Sequence, residues 1–127
     1  MHAVVSFSTL PLFLGALLSD WAYATSEQVQ WTNFASWLIA GGLLLAGLAL
    51  LWAVIDLLSS RAPRHRSGMI YLLLLLATLV LGFINSLVHA KDAWAAMPAG
   101  LILSAVLLLL AAAATASGLA SVPRRNE

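Results

Sequence analysis

The chain is 127 residues long, 62% hydrophobic and only 9% charged, with a formal net charge of +1 and no cysteine. Soluble globular domains carry about 25% charged residues, so most of this chain is excluded from a water-facing surface, and lipid is the solvent that tolerates it. The small net charge excludes nucleic acid as a partner, and the lack of cysteine excludes disulfides, iron–sulfur clusters and thiolate metal sites.

The charges lie almost entirely between four apolar runs, Val4–Asp20, Asn33–Leu58, Met69–His89 and Pro98–Leu119. A helix rises about 1.5 Å per residue, so about 20 residues cross a hydrocarbon core of about 30 Å. Each run reaches that length, the first only just. They predict helices over 4–22, 33–58, 68–90 and 98–119. The expected fold class is all-α, an integral membrane up-down four-helix bundle forming a single transmembrane domain over residues 1–127.

In the first run, Ala22-Tyr23-Ala24 has the small-residue pattern of a signal-peptidase site. Met1-His2-Ala3 supplies no basic segment before it, so a retained helix is expected. Pro11 is expected to bend this helix or to mark its start. The longest polar gap, Trp21–Thr32, follows, and Thr32 or Asn33 is expected to cap the second helix. The second run ends at a basic loop holding Arg61, Arg64, His65 and Arg66, with Pro63 as the break. Ser67 is the expected cap of the third helix. Pro98 suits the first turn of the fourth.

Five of the six basic residues lie in the Arg61–Arg66 loop or at Arg124 and Arg125, and only Lys91 lies on the other side. Positively charged loops stay cytoplasmic, so both termini are expected inside. Asp20, Glu27, Lys91 and Asp92 then face outward. Trp21, Tyr23, Trp31, Trp37 and Trp94 cluster at that level and fit an aromatic belt, while Trp52 approaches the opposite interface.

Lipid tails are as apolar as leucine, so small residues and interhelical hydrogen bonds must hold the helices together. Candidate packing stripes are Ser8, Gly15 and Ser19 in run one, and Gly42, Ala46, Ala49, Ala53 and Asp56 in run two. Run three offers Thr78, Gly82, Asn85 and His89, and run four Gly100, Ser104, Ala111, Thr115 and Gly118. Their spacings of three, four and seven keep one face toward the neighbours. Leu72–Leu76 and Leu107–Leu110 are left for lipid.

Ionisable and amide groups at membrane depth are costly and are the first candidates for function. Asn85 and His89 stand one turn apart on one face, and Asp20 ends run one on the same side. These three form the candidate outer polar cluster, with two readings. The structural reading treats Asn85 as interhelical glue and His89 as a helix-end cation. The functional reading treats the cluster as a proton, quinone or ligand site. Asp56 is expected to pair with Arg61 or Arg124. Haem between two histidines is not expected, because His2 and His65 lie on the side opposite His89. No catalytic residue, metal site or cofactor is assigned.

The stretches Leu12–Trp21 (LFLGALLSDW), Gln30–Gly42 (QWTNFASWLIAGG) and Leu81–Pro98 (LGFINSLVHAKDAWAAMP) resemble the small bacterial membrane proteins grouped as domain of unknown function 2231. The resemblance implies a four-helix inner-membrane protein of Gram-negative type, without established activity. Some relatives are similar to neighbours of sugar-aldehyde dehydrogenases, which implies a link to periplasmic oxidation. The family's N-terminal His-Pro and Val-His-Phe are absent: here Ala3 follows His2, and Ser6 precedes Phe7.

The leading functional expectation is a non-enzymatic accessory or interaction subunit. Its partners would be membrane lipid, further copies of itself as a homo-oligomer, or another membrane or periplasmic protein. One alternative is a redox-linked quinone or electron-transfer component serving a periplasmic dehydrogenase. A second is one protomer of an oligomeric transporter or channel.

Overall fold

The computed structural model describes residues 2–59, 66–91 and 93–120, with the side chains of His2, Ala3, Ser67, Ala93 and Trp94 outside that description. Four helices follow one another: α1 (His2–Ser26), α2 (Val29–Ser59), α3 (Arg66–His89) and α4 (Ala99–Ala120). All four are long and apolar enough to cross a membrane. A single 3-10 turn, Ala93–Ala96, leads into α4.

The helices run up-down-up-down around one core. Each packs against two neighbours, α1 on α2 and α4, α3 on α4 and α2. The short links dictate this ring, because antiparallel neighbours need few connecting residues.

The tightest link corrects the expected gap over Trp21–Thr32. Only Glu27 and Gln28 separate α1 from α2. Polar residues here lie in both helices instead of forming a loop, and on α1 Thr25 and Ser26 donate back to carbonyls of their own helix. The Glu27 amide closes α1 on the Tyr23 carbonyl at 2.8 Å, and Glu27 takes the left-handed conformation, φ 58°, that commonly ends a helix. The second helix therefore starts at Val29, and neither Thr32 nor Asn33 caps it. Thr32 is buried inside the helix. Ser67 likewise falls within α3, which opens at Arg66. Pro98 stands just before α4, where its carbonyl accepts the Ile102 amide at 3.1 Å.

Pro11 lies within a continuous α1, so the helix does not begin there. The packed face of α1 also differs from the expected Ser8, Gly15 and Ser19 stripe. Ser6, Thr9, Phe13, Ala16, Asp20 and Tyr23 are buried, at spacings of three and four, while Ser8 bonds to its own Val4 carbonyl. Ser19 is buried beside Asp20, and Gly15 is half-buried against Leu38. Tyr23 thus belongs to the interior and not to an aromatic belt. Trp21 and Trp37, by contrast, are exposed on the outside of the bundle.

On α2, Gly42, Ala46, Ala49 and Ala53 are buried. Gly42 has a steric requirement: a Cβ there would fall inside the Phe13 ring. Asp56, one step further along this row, is exposed. The Arg61 and Arg124 expected to pair with it lie outside the described residues, as do Pro63, His65, Asp92 and Arg125. Gly82 on α3 takes the Leu43 side chain, again where a Cβ would collide. Two leucines assigned to lipid are core residues instead: Leu75 is 1% exposed and Leu107 is fully buried. Both continue the buried period of their helix, with Tyr71, Leu75 and Thr78 on α3 and Ser104, Leu107 and Ala111 on α4.

Candidate functional site

Near the end of the bundle that carries the Glu27 corner, three helices bring polar side chains to one point. Asp20 comes from the last third of α1, Asn85 and His89 from the end of α3, and Ser104 from the second turn of α4. Asp20 and Asn85 are fully buried, Ser104 is 1% exposed and His89 7%. Register explains the convergence. Asp20 continues the buried row of α1, while Asn85 and His89 continue that of α3 after Thr78 and Gly82.

The four side chains form a closed ring. His89 Nε2 lies 2.7 Å from Asp20 Oδ1. The other Asp20 oxygen accepts a hydrogen bond from the Ser104 hydroxyl. Ser104 Oγ in turn accepts from Asn85 Nδ2 at 3.0 Å. His89 Nδ1 returns to the Asn85 main-chain carbonyl at 2.9 Å and closes the circuit. The ring links α1 to α3 across the bundle and ties both to α4.

Glycine makes room for the imidazole. A Cβ at Gly100 would stand 3.0 Å from His89 Cε1 and 3.3 Å from Nε2, so the ring lies flush against the first turn of α4. Asn85 Oδ1 and Thr32 Oγ1 are buried without a hydrogen-bond partner among the described residues. Among those residues, no cluster of three or more His, Cys, Asp or Glu could hold a metal ion.

A second polar group joins the same three helices near the opposite end. Ser6 Oγ and Thr115 Oγ1 are 3.1 Å apart, and the Tyr71 side chain hydrogen-bonds Ser6. Thr9 supports the site by donating to the Ser6 carbonyl at 2.7 Å. Tyr71 is 2% exposed, and its ring fills the space a Cβ at Gly118 would take. Ser6 and Thr115 stand about 14 and 11 residues from Asp20 and Ser104, which puts the two groups about 17–21 Å apart along the helices.

Sequence reasoning placed Asp20, Asn85 and His89 at one depth but treated Ser104 only as a small packing residue. Its position on the buried row of α4, level with the start of that helix, was the available signal. The Ser6–Tyr71–Thr115 group was missed. Its one visible cue was a tyrosine in the second turn of an otherwise leucine-rich helix.

Four membrane-length helices closed around buried polar side chains define a polytopic membrane bundle. The chain belongs to the family described as predicted membrane protein (DUF2231), whose model matches residues 1–125 and whose function is not established. No curated protein and no solved structure matches the chain.

Proposed function

We propose that this membrane protein is a non-enzymatic accessory or interaction subunit of the bacterial inner membrane, with both termini cytoplasmic. The supporting observation is the closure of the ring. The ring members take their polar partners mainly from one another, and His89 packs directly on Gly100. An arrangement of this kind holds helices in register, as interhelical polar contacts do in lipid. It offers a substrate little to displace. The bundle then serves as a rigid platform whose lipid-facing sides are available to a second copy or to a neighbouring membrane or periplasmic protein.

Extraction in native-lipid nanodiscs followed by native mass spectrometry tests this reading. The expected result is a particle containing more than one protein chain, with no dithionite-sensitive Soret band and no ion flux after reconstitution. A haem or quinone signal would replace the proposal with the redox-linked alternative. Flux would replace it with the transporter alternative, and a solitary monomer would contradict it.

The orientation is tested separately. Ser59→Cys and Ser26→Cys, at the exposed ends of α2 and α1, are treated with an impermeant thiol reagent on intact spheroplasts. Labelling is expected at position 26 only. Labelling at position 59 with protection at 26 would reverse the topology.

A further inference from the structure

We infer that the Asp20–His89 pair is a binding site for a single proton, and that closing this end of the bundle captures it. The inference rests on hydrogen-bond bookkeeping around the ring. A main-chain carbonyl can only accept, so His89 Nδ1, 2.9 Å from the Asn85 carbonyl, must carry a hydrogen. The opposite nitrogen faces a carboxyl oxygen at 2.7 Å. Two bare lone pairs would repel at that distance, so a second hydrogen must lie between Nε2 and Oδ1.

The remaining positions are already assigned. The Asn85 amide donates to Ser104, so the single Ser104 hydrogen points at the other Asp20 oxygen. Neither neighbour can replace the hydrogen on the Nε2–Oδ1 axis. Whether that hydrogen rests on nitrogen or on oxygen, the pair is neutral overall. Neutrality is what a low-dielectric interior favours.

The separated groups hold one hydrogen fewer above neutral pH, where a free carboxyl is ionised and a free imidazole keeps only one N–H. Closure therefore takes up one proton, and opening releases it. Both side chains are at most 1% exposed, so exchange requires the helices to part. The other groups at this end do not substitute for the pair. Ser104 and Asn85 do not titrate, and Tyr23 is buried one turn beyond Asp20 on α1. Glu27 at the α1–α2 corner and Lys91 after α3 are exposed to the medium. The buried α2 neighbour at this level is the uncharged Thr32.

The sign of the pH effect follows from the count. The folded form holds one more proton than the unfolded form, so folding weakens as pH rises. The slope is about tenfold in the folding equilibrium constant per pH unit above about pH 7. The experiment uses full-length protein carrying His2→Gln and His65→Gln, which leaves His89 as the sole histidine. Nitrogen-15 spectra of labelled His89 in lipid nanodiscs are expected to show a protonated Nδ1 at neutral pH and a second proton shared by Nε2. Reversible unfolding of the same protein in mixed lipid-detergent is expected to give the tenfold slope, and Asp20→Asn is expected to flatten it. A bare Nδ1 at neutral pH, or a folding constant indifferent to pH, would overturn the inference.

Discussion

The two polar groups of this bundle join the same three helices, but they differ in what holds them shut. Near one end, a carboxyl, an imidazole, an amide and a hydroxyl form a fully enclosed ring around Asp20 and His89. Near the other end, Ser6, Tyr71 and Thr115 meet through hydroxyl groups alone. Interhelical hydrogen bonds in membranes average only about 0.6 kcal/mol, because separated helices find other partners. The hydroxyl group is therefore a modest clasp. The ionisable pair is different: taking away Asp20 or His89 leaves its partner buried without a counter-group. The contrast implies that the two ends tolerate change unequally, although their geometry is similar.

Substitutions can break or sharpen this contrast. The largest effect is expected from His89→Ala, which strands the Asp20 carboxyl and should cost about 3–5 kcal/mol in reversible unfolding. His89→Gln should cost less, since an amide can restore a hydrogen bond to Asp20 although it cannot supply the imidazole's proton. If the two variants are equally damaging, the imidazole's proton matters and its hydrogen bond and shape do not.

Next in size is Ala49→Leu in the middle of α2. Ala49 is fully buried, so the added bulk should cost about 1–3 kcal/mol and loosen both ends together. Leu45, by contrast, is only half-buried, and Leu45→Ala should matter less. A harmless Ala49→Leu would show that α2 can shift away from the bundle without disturbing either clasp. The smallest effect is expected from Tyr71→Phe, which keeps the ring against Gly118 and removes only the hydroxyl. Its cost should be about 0.6 kcal/mol, measured by the same unfolding assay.

The same contrast explains how much could be read from the residues alone. Four helices were legible because uninterrupted apolar length is a strong physical signal. Their ends were less so: the polar stretch between Trp21 and Thr32 looks like a loop, yet Thr25 and Ser26 bond back to α1 and only Glu27 and Gln28 lie between the helices. Three of the four ring residues stood out because carboxyl, amide and imidazole groups are conspicuous at membrane depth. Ser104 did not, since a serine among leucines and alanines is equally a packing residue or a hydrogen-bond donor. For the same reason Ser6 and Thr115 carried no distinguishing mark. Small residues do not mark the packed face of α1, because that face includes Phe13 and Tyr23. Those bulky side chains fit because the space is provided elsewhere, as Gly42 provides it for Phe13.

Paired double-mutant cycles measure the central contrast most directly. One cycle combines Asp20→Ala with His89→Ala, and the other combines Ser6→Ala with Thr115→Val, each followed by reversible unfolding at neutral pH. The ring should give a coupling energy of at least about 1.5 kcal/mol, and the hydroxyl pair about 0.6 kcal/mol. A coupling across Asp20 and His89 no larger than that across Ser6 and Thr115 would contradict the account, because the ring would then be one more ordinary polar contact between helices.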